Sequence, residues 1–277
     1  MKTRMIDWFK ALAGTVEYRI RPWRYAPDEL VVLCLHSTPL AMLPAFERLM
    51  KFLQRHFTIL SPHQLEDYFN GNLNSGPYVL LTFDDGLRNN KHVADVLYER
   101  GYGACFFIVP DFVKAENQER YYRTAIRRHT LPQFDRQPED TLPLEVSQLK
   151  ELVRQGHMLG AHSMSHTMRA TDNQVKTIRE VEGCKQELSL LTGADISAFC
   201  SIVNTNLSVG HQGKTLINEH YRYHFTTFPG LNGISKDAQL IFRRNLELDW
   251  SIGKIKYALG RADLSRWTDG IERFRQL

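Results

Sequence analysis

Tyr78-Val79-Leu80-Leu81-Thr82-Phe83-Asp84-Asp85-Gly86 is the stretch on which the fold turns. Six uncharged, mostly β-favouring residues in a row have the composition of a strand buried on both faces. The two carboxylates and the glycine mark where that strand ends and the chain turns. Upstream, Leu30-Val31-Val32-Leu33-Cys34-Leu35 has the same character, and downstream so does Ala104-Cys105-Phe106-Phe107-Ile108-Val109. Between the last two runs, residues 89–100 place Val93, Val96 and Leu97 at helical spacing and stop at Gly101, a C-cap signal. That is one β-α-β unit.

The pattern repeats. Residues 144–155 put Val146, Leu149, Leu152 and Val153 on one helical face and end at Gly156, delivering the chain into His157-Met158-Leu159-Gly160-Ala161. Residues 172–191 form a third helical pattern before Gly193 and lead to a run over residues 196–203. Strands alternating with helices predict an α/β fold with a parallel sheet, open or closed into a barrel. Residues 114–143 break the alternation: they are polar and end with Pro132, Pro138 and Pro143. They read as an insertion, either a cap facing a substrate or a solvated excursion.

Three candidate functional groups directly follow three different strands: His36, the pair Asp84 and Asp85, and His162. In a β/α barrel such positions converge on one face. Two adjacent carboxylates in a dry site need a cation to offset their repulsion. The spacing of His162 and His166 predicts two imidazoles on one side of a helical turn. With one carboxylate they make a facial set that leaves metal positions open for water and substrate. Each signal has a bland reading alone, as a turn, a cap or a core histidine. Three coincidences at three strand ends favour a metal-dependent hydrolase.

The sequence resembles the polysaccharide deacetylase (NodB-homology) family of carbohydrate esterases. Thr82-Phe83-Asp84-Asp85-Gly86 matches that family's T-F-D-D-G motif and His162-Ser163-Met164-Ser165-His166 its H-S-x-x-H motif. Similar elements are Gly103-Ala104-Cys105-Phe106-Phe107-Ile108, the segment 221–227 and the pair Arg243-Arg244. The resemblance implies a distorted or incomplete (β/α) barrel of about seven parallel strands. It also implies one divalent metal ion, most often zinc, on Asp85, His162 and His166, with Asp84 as general base. His36 takes the place of the acid that protonates the leaving amine. Arg244 becomes a candidate to contact substrate or buttress Asp84. The third motif is altered, because Phe199-Cys200-Ser201-Ile202-Val203-Asn204 lacks the usual arginine, proline, tyrosine and glycine, leaving Val203 as the candidate substrate contact there.

The expected activity is removal of an N-acetyl group from an amino sugar in a bacterial surface glycan or its lipid-linked precursor. A barrel that has lost turnover and serves as a glycan-binding or scaffolding module is the alternative, and a phosphoesterase is a third. The net charge of +4, from 35 basic and 31 acidic residues, is too small a surplus to make the basic field that nucleic-acid binding needs. Four widely spaced cysteines, Cys34, Cys105, Cys184 and Cys200, read as reduced buried thiols. No signal peptide or membrane-spanning run is evident, so a cytoplasmic protein is expected. The domain reading is a basic amphipathic extension over residues 1–28 followed by the barrel over residues 29–277. Ile6, Trp8, Phe9, Leu12 and Val16 in that extension could meet the inner membrane peripherally or pack on the barrel.

Overall fold

A computed structural model describes residues 2–20, 25–73, 75–127, 137, 140–168, 173–202, 205–233, 237–260 and 268–277. Its strands are β1 (Leu30–Leu35), β2 (Thr58–Ile59), β3 (Tyr78–Phe83), β4 (Cys105–Ile108), β5 (Met158–Ala161), β6 (Ala198–Cys200), β7 (Tyr223–Phe225) and β8 (Arg244–Asn245). Seven of them run in the order β7-β6-β5-β4-β3-β1-β8 with every neighbour parallel, and β2 lies beside the start of β3. The sheet curls into a half-barrel, the distorted (β/α) barrel expected from the sequence.

The alternation within the strands explains why the runs are apolar throughout. Leu30, Val32, Leu80, Cys105, Phe107, Ala198 and Phe225 share one cluster, which fills the concave side of the sheet. Val31, Leu33, Leu35, Leu81, Phe83, Phe106, Ile108 and Phe199 share another with helix residues such as Phe46, Leu97, Leu149 and Leu188. Odd and even positions thus serve two cores, and burial of each side chain contributes about 1.5–3 kcal/mol. Gly160 is required where it stands, because a Cβ there would lie 2.5 Å from the Phe107 ring.

Helices form where the sequence spacing predicts them, at Asn90–Glu99 and Val146–Arg154, and Gly101 and Gly156 follow them with φ of 74° and 83°. The third helical pattern runs as Gln174–Ile178, a π-turn at Arg179–Gly183 and Cys184–Thr192, before Gly193 at φ 74°. The helix Lys2–Ile20 packs against Ile252–Leu259, with Asp7 paired to Lys254 at 2.7 Å. No helix among the described residues is long and apolar enough to cross a membrane. All four cysteines are buried and free.

Candidate active site

Strand parity carries the site onto the concave face. Continuing β1 inward from Leu30, Val32 and Cys34 gives His36, continuing β3 from Leu80 and Thr82 gives Asp84, and continuing β5 from Met158 and Gly160 gives His162. All three stand at C-terminal strand ends, and Asp84 and His162 are 3% and 2% exposed. The structure therefore brings together the residues that the sequence singled out at three separate strand ends.

At Asp85 the backbone takes φ 72°, a left-handed conformation rare for a residue with a side chain, and Gly86 follows at φ 66°. This reversal turns Asp85 away from the path of β3 and toward the histidines. Its Oδ1 lies 3.1 Å from His166 Nε2 and 3.5 Å from His162 Nε2. The turn carrying His162 and His166 is not helical, contrary to the spacing argument. Ser163 and His166 have φ of 58° and 55°, so the two rings are brought to a 5.1 Å centroid separation by a left-handed loop.

Side-chain and backbone partners hold that loop. Glu180, itself buried, accepts from the Ser165 backbone N–H at 3.0 Å and from its hydroxyl at 2.7 Å, and Tyr121 donates to the Ser165 carbonyl at 2.7 Å. The insertion thus touches the site, since Ala125 also offers its carbonyl to His166 Nδ1 at 3.2 Å. His162 Nδ1 is likewise 3.0 Å from the Cys200 carbonyl. Asp140 closes the other side by accepting from Asn89 at 2.9 Å, while Asn90 donates to the His36 carbonyl at 2.7 Å. Residues 128–136 and 138–139 of the insertion, and Val203 with Asn204 of the altered third motif, lie outside the described residues.

These hydrogen bonds decide whether a cation fits. A carbonyl can only accept, so each imidazole carries its proton on Nδ1 and presents an Nε2 lone pair. Both lone pairs face Asp85 Oδ1, which is also an acceptor. The Asp85 carboxylate is 1% exposed and neither of its oxygens has a hydrogen-bond donor. Three acceptors converging on one buried point, with ligand atoms all within 4.8 Å, have the donor set and openness of a two-histidine, one-carboxylate metal centre. Burial alone would raise the Asp85 carboxyl; when an imidazole there is protonated, His166 first, its charge and hydrogen bond hold the carboxyl well below the usual carboxylate range, as a bound cation would.

Asp84 is satisfied differently. Arg243 grips it bidentately, Nη1 to Oδ1 at 2.7 Å and Nη2 to Oδ2 at 2.9 Å, and anchors its own Nε on the Thr226 carbonyl at 3.0 Å. The Phe107 ring lies 5.6 Å below the guanidinium, and the Cys34 thiol donates to Asp84 Oδ2 at 3.3 Å. Burial pushes the Asp84 carboxyl up, but Arg243 and His162 overcome it and hold it down at about 2. Asp84 Oδ2 remains 3.8 Å from His162 Nε2, beside the Asp85, His162 and His166 group.

Arg244, the sequence candidate for this buttress, points elsewhere. It donates to the carbonyls of Gly230, Ala258 and Gly260, tying β8 to the C-terminal end of the helix Ile252–Leu259. It does not reach Asp84. The signal that would have chosen Arg243 is parity, because Ile241 lies in the concave cluster and Arg243 is two residues on. His36 has a ring nitrogen within 4.8 Å of an Asp84 carboxylate oxygen, and its Nδ1 is buried and without a hydrogen-bond partner. Glu247 contributes a carboxyl near His36 that burial pushes up to about 6, against the opposing pull of the histidine.

The polysaccharide deacetylase family matches residues 72–201 of the chain, a span that contains both motifs. Among solved structures, the chain is similar to IcaB from Ammonifex degensii, at 21% identity and a TM-score of 0.61 over 85% of this chain and 99% of that one. It is similar to the Streptococcus pyogenes deacetylase PplD solved in complex with acetate, at 14% identity and a TM-score of 0.64 over 85% and 100%. It is also similar to the deacetylase domain of BpsB from Bordetella bronchiseptica, at 16% identity and a TM-score of 0.60 over 81% and 98%. At these identities the likeness is one of fold. A comparison with curated proteins gives no match. With the curled parallel sheet and both motifs intact, residues 72–201 match the polysaccharide deacetylase family, the NodB-homology family that the motifs resemble.

Proposed function

We propose that the protein is a metal-dependent hydrolase that removes an N-acetyl group from an amino sugar of a surface glycan or of its precursor. The observation that carries this reading is the division of the adjacent carboxylates. Asp85, whose oxygens have no hydrogen-bond partner, lies with His162 and His166 in a group that could hold a metal ion, while Asp84 stands beside it, ionised and locked by Arg243. A divalent ion, zinc foremost, bound by Asp85, His162 and His166 would polarise the amide carbonyl and acidify a water molecule. Asp84 accepts that water's proton, and the Arg243 grip fixes the carboxylate's plane for the transfer. His36, near Asp84, donates a proton to the nitrogen of the departing amine. Its loop is held in register by Asn89 and Asn90.

A barrel that only binds glycan would have no use for a second ionised carboxylate poised 3.8 Å from a ligand histidine, so turnover is the better reading. The test is acetate release from N-acetylated oligosaccharides by the metal-loaded protein. Release that is lost on chelation, regained with zinc and lost in Asp84→Asn supports the proposal. A metal-loaded, folded protein that frees no acetate from any N-acetylated glycan overturns it.

A further inference from the structure

The helix Lys2–Ile20 meets the rest of the molecule through its smallest residues. A Cβ at Gly14 would lie 2.2 Å from the Gly253 carbonyl oxygen and 2.5 Å from Tyr257 N, and one at Gly253 would lie 2.5 Å from the Ala11 carbonyl oxygen. The two helix backbones are therefore in direct contact, and only glycine permits it at either position. Asp7, Ala11 and Gly14, spaced four and three apart, make the docked face, and Asp7 adds its ion pair with Lys254.

That docking turns the large apolar side chains outward. Trp8 is 60% exposed, Phe9 57%, Ile6 51%, Leu12 47% and Val16 45%. At 100° per residue these positions span the arc opposite Asp7, Ala11 and Gly14, so they form one stripe and not scattered exposure. An extension that served only to pack on the barrel would place this stripe inward.

Charge identifies what the stripe meets. Residues 1–24 contain six basic residues, Lys2, Arg4, Lys10, Arg19, Arg21 and Arg24, against Asp7 and Glu17. The remaining 253 residues hold 29 of each sign, so the entire net charge of +4 sits on the segment that bears the exposed apolar stripe. Two copies of this segment brought face to face would repel one another. An anionic surface with an apolar interior would attract the charge and receive the stripe.

We infer that the helix Lys2–Ile20 is an interfacial anchor that lies in the surface of an anionic lipid bilayer, its Trp8, Phe9, Leu12 and Val16 side chains entering the acyl boundary. The anchor does not rest on the hydrolase reading, since it involves none of the site residues. It is tested by floating the full chain with phosphatidylcholine vesicles that contain or lack phosphatidylglycerol, while following tryptophan fluorescence. Expected are flotation with the anionic vesicles only, weakening as salt is raised, a blue-shifted emission, and a loss of affinity of about tenfold or more in the triple variant Trp8→Ser, Phe9→Ser, Leu12→Ser. These side chains are exposed, so the triple variant retains its melting temperature, and Lys10→Glu offers an independent charge variant that also weakens binding. Absence of flotation with any vesicle, or equal flotation of the triple variant, overturns the inference. So does a concentration-dependent dimer that the triple variant abolishes without any vesicle binding by the parent chain.

Discussion

Arg243→Met isolates the electrostatic design of the site. In the parent chain the guanidinium is 4% exposed and makes two charge-assisted bonds, of 2.7 and 2.9 Å, to an Asp84 carboxylate that is 3% exposed. Removing one partner of a buried ion pair leaves the other uncompensated, which costs about 3–5 kcal/mol. For a chain of this size that corresponds to a fall in melting temperature of roughly 10 °C. Asp84, released from Arg243, keeps the burial that pushes it up and loses the first influence that pulls it down, so its pKa climbs from about 2. Acetate release near neutral pH should then drop, and what remains should increase with pH as Asp84 ionises. The double variant Arg243→Met, Asp84→Asn strands no charge and should recover most of the lost stability while staying inactive, giving a coupling energy of about 3 kcal/mol in urea denaturation. Arg244→Met is the control: it frees carbonyls at Gly230, Ala258 and Gly260 and should lower stability while leaving the pH profile of acetate release in place. Strictly additive effects of the Arg243 and Asp84 substitutions, or an Arg243→Met protein as stable as its parent, would refute the reasoning.

Zinc added to chelated protein at about 100 times its dissociation constant should stabilise the fold by roughly 2.7 kcal/mol, read as a rise in melting temperature, and Asp85→Asn should remove that rise. Burial holds His157 down at about 4 and His224 at about 3. Each is neutral in the fold but takes a proton near pH 6.5 once unfolded, so the stability it contributes is complete above pH 6.5 and is lost as pH falls. For His157 the loss amounts to about 3 kcal/mol by pH 4. Denaturation curves at stepped pH check this, and His157→Gln should flatten that part of the profile. Gly160→Ala, whose added methyl would meet the Phe107 ring at 2.5 Å, should cost about 1–3 kcal/mol in the same assay.

Much of the fold was legible because it rests on short-range patterning. Runs such as Val79 to Phe83 announce strands buried on both faces, and Gly101 and Gly156 stop their helices with the left-handed backbone that glycine supplies cheaply. The candidate site was legible where a candidate residue directly follows a strand, because parity then fixes the face it points to. It was not legible where tertiary contacts override local preference. The His162 to His166 turn takes positive φ at two residues with side chains, and contacts from elsewhere in the chain, among them Glu180, Tyr121, Ala125 and Cys200, hold it there. Arg243 stands one residue before the two-residue strand Arg244–Asn245, a run too short to announce itself as a strand, so the parity that separates Arg243 from Arg244 becomes readable only once the sheet is seen. The role of the insertion was also hidden, since nothing local to Tyr121 or Ala125 announces a contact with a turn forty residues away.

Asp84 and Asp85 show how one backbone sign separates two identical side chains. Had Asp85 kept the extended conformation of β3, it would have alternated to the opposite face and entered the layer of Phe83 and Phe106, where a carboxylate has no partner. Its φ of 72° redirects it to the concave side beside Asp84, at the cost of about 1–3 kcal/mol of backbone strain. Two carboxylates on one side would then repel, unless each had its own cation. Arg243, one residue before β8, satisfies Asp84, while Asp85, whose oxygens have no hydrogen-bond partner, lies with His162 and His166 in a group that could hold a metal ion. On the proposed reading, a fixed positive charge on one carboxylate and an exchangeable one on the other would keep both ionised at neutral pH and let neighbouring residues of one type act as proton acceptor and as ligand. Replacing Asp85 by asparagine removes the ligand charge while preserving the shape, so it should abolish metal binding yet leave the Arg243–Asp84 pair and its contribution to stability intact.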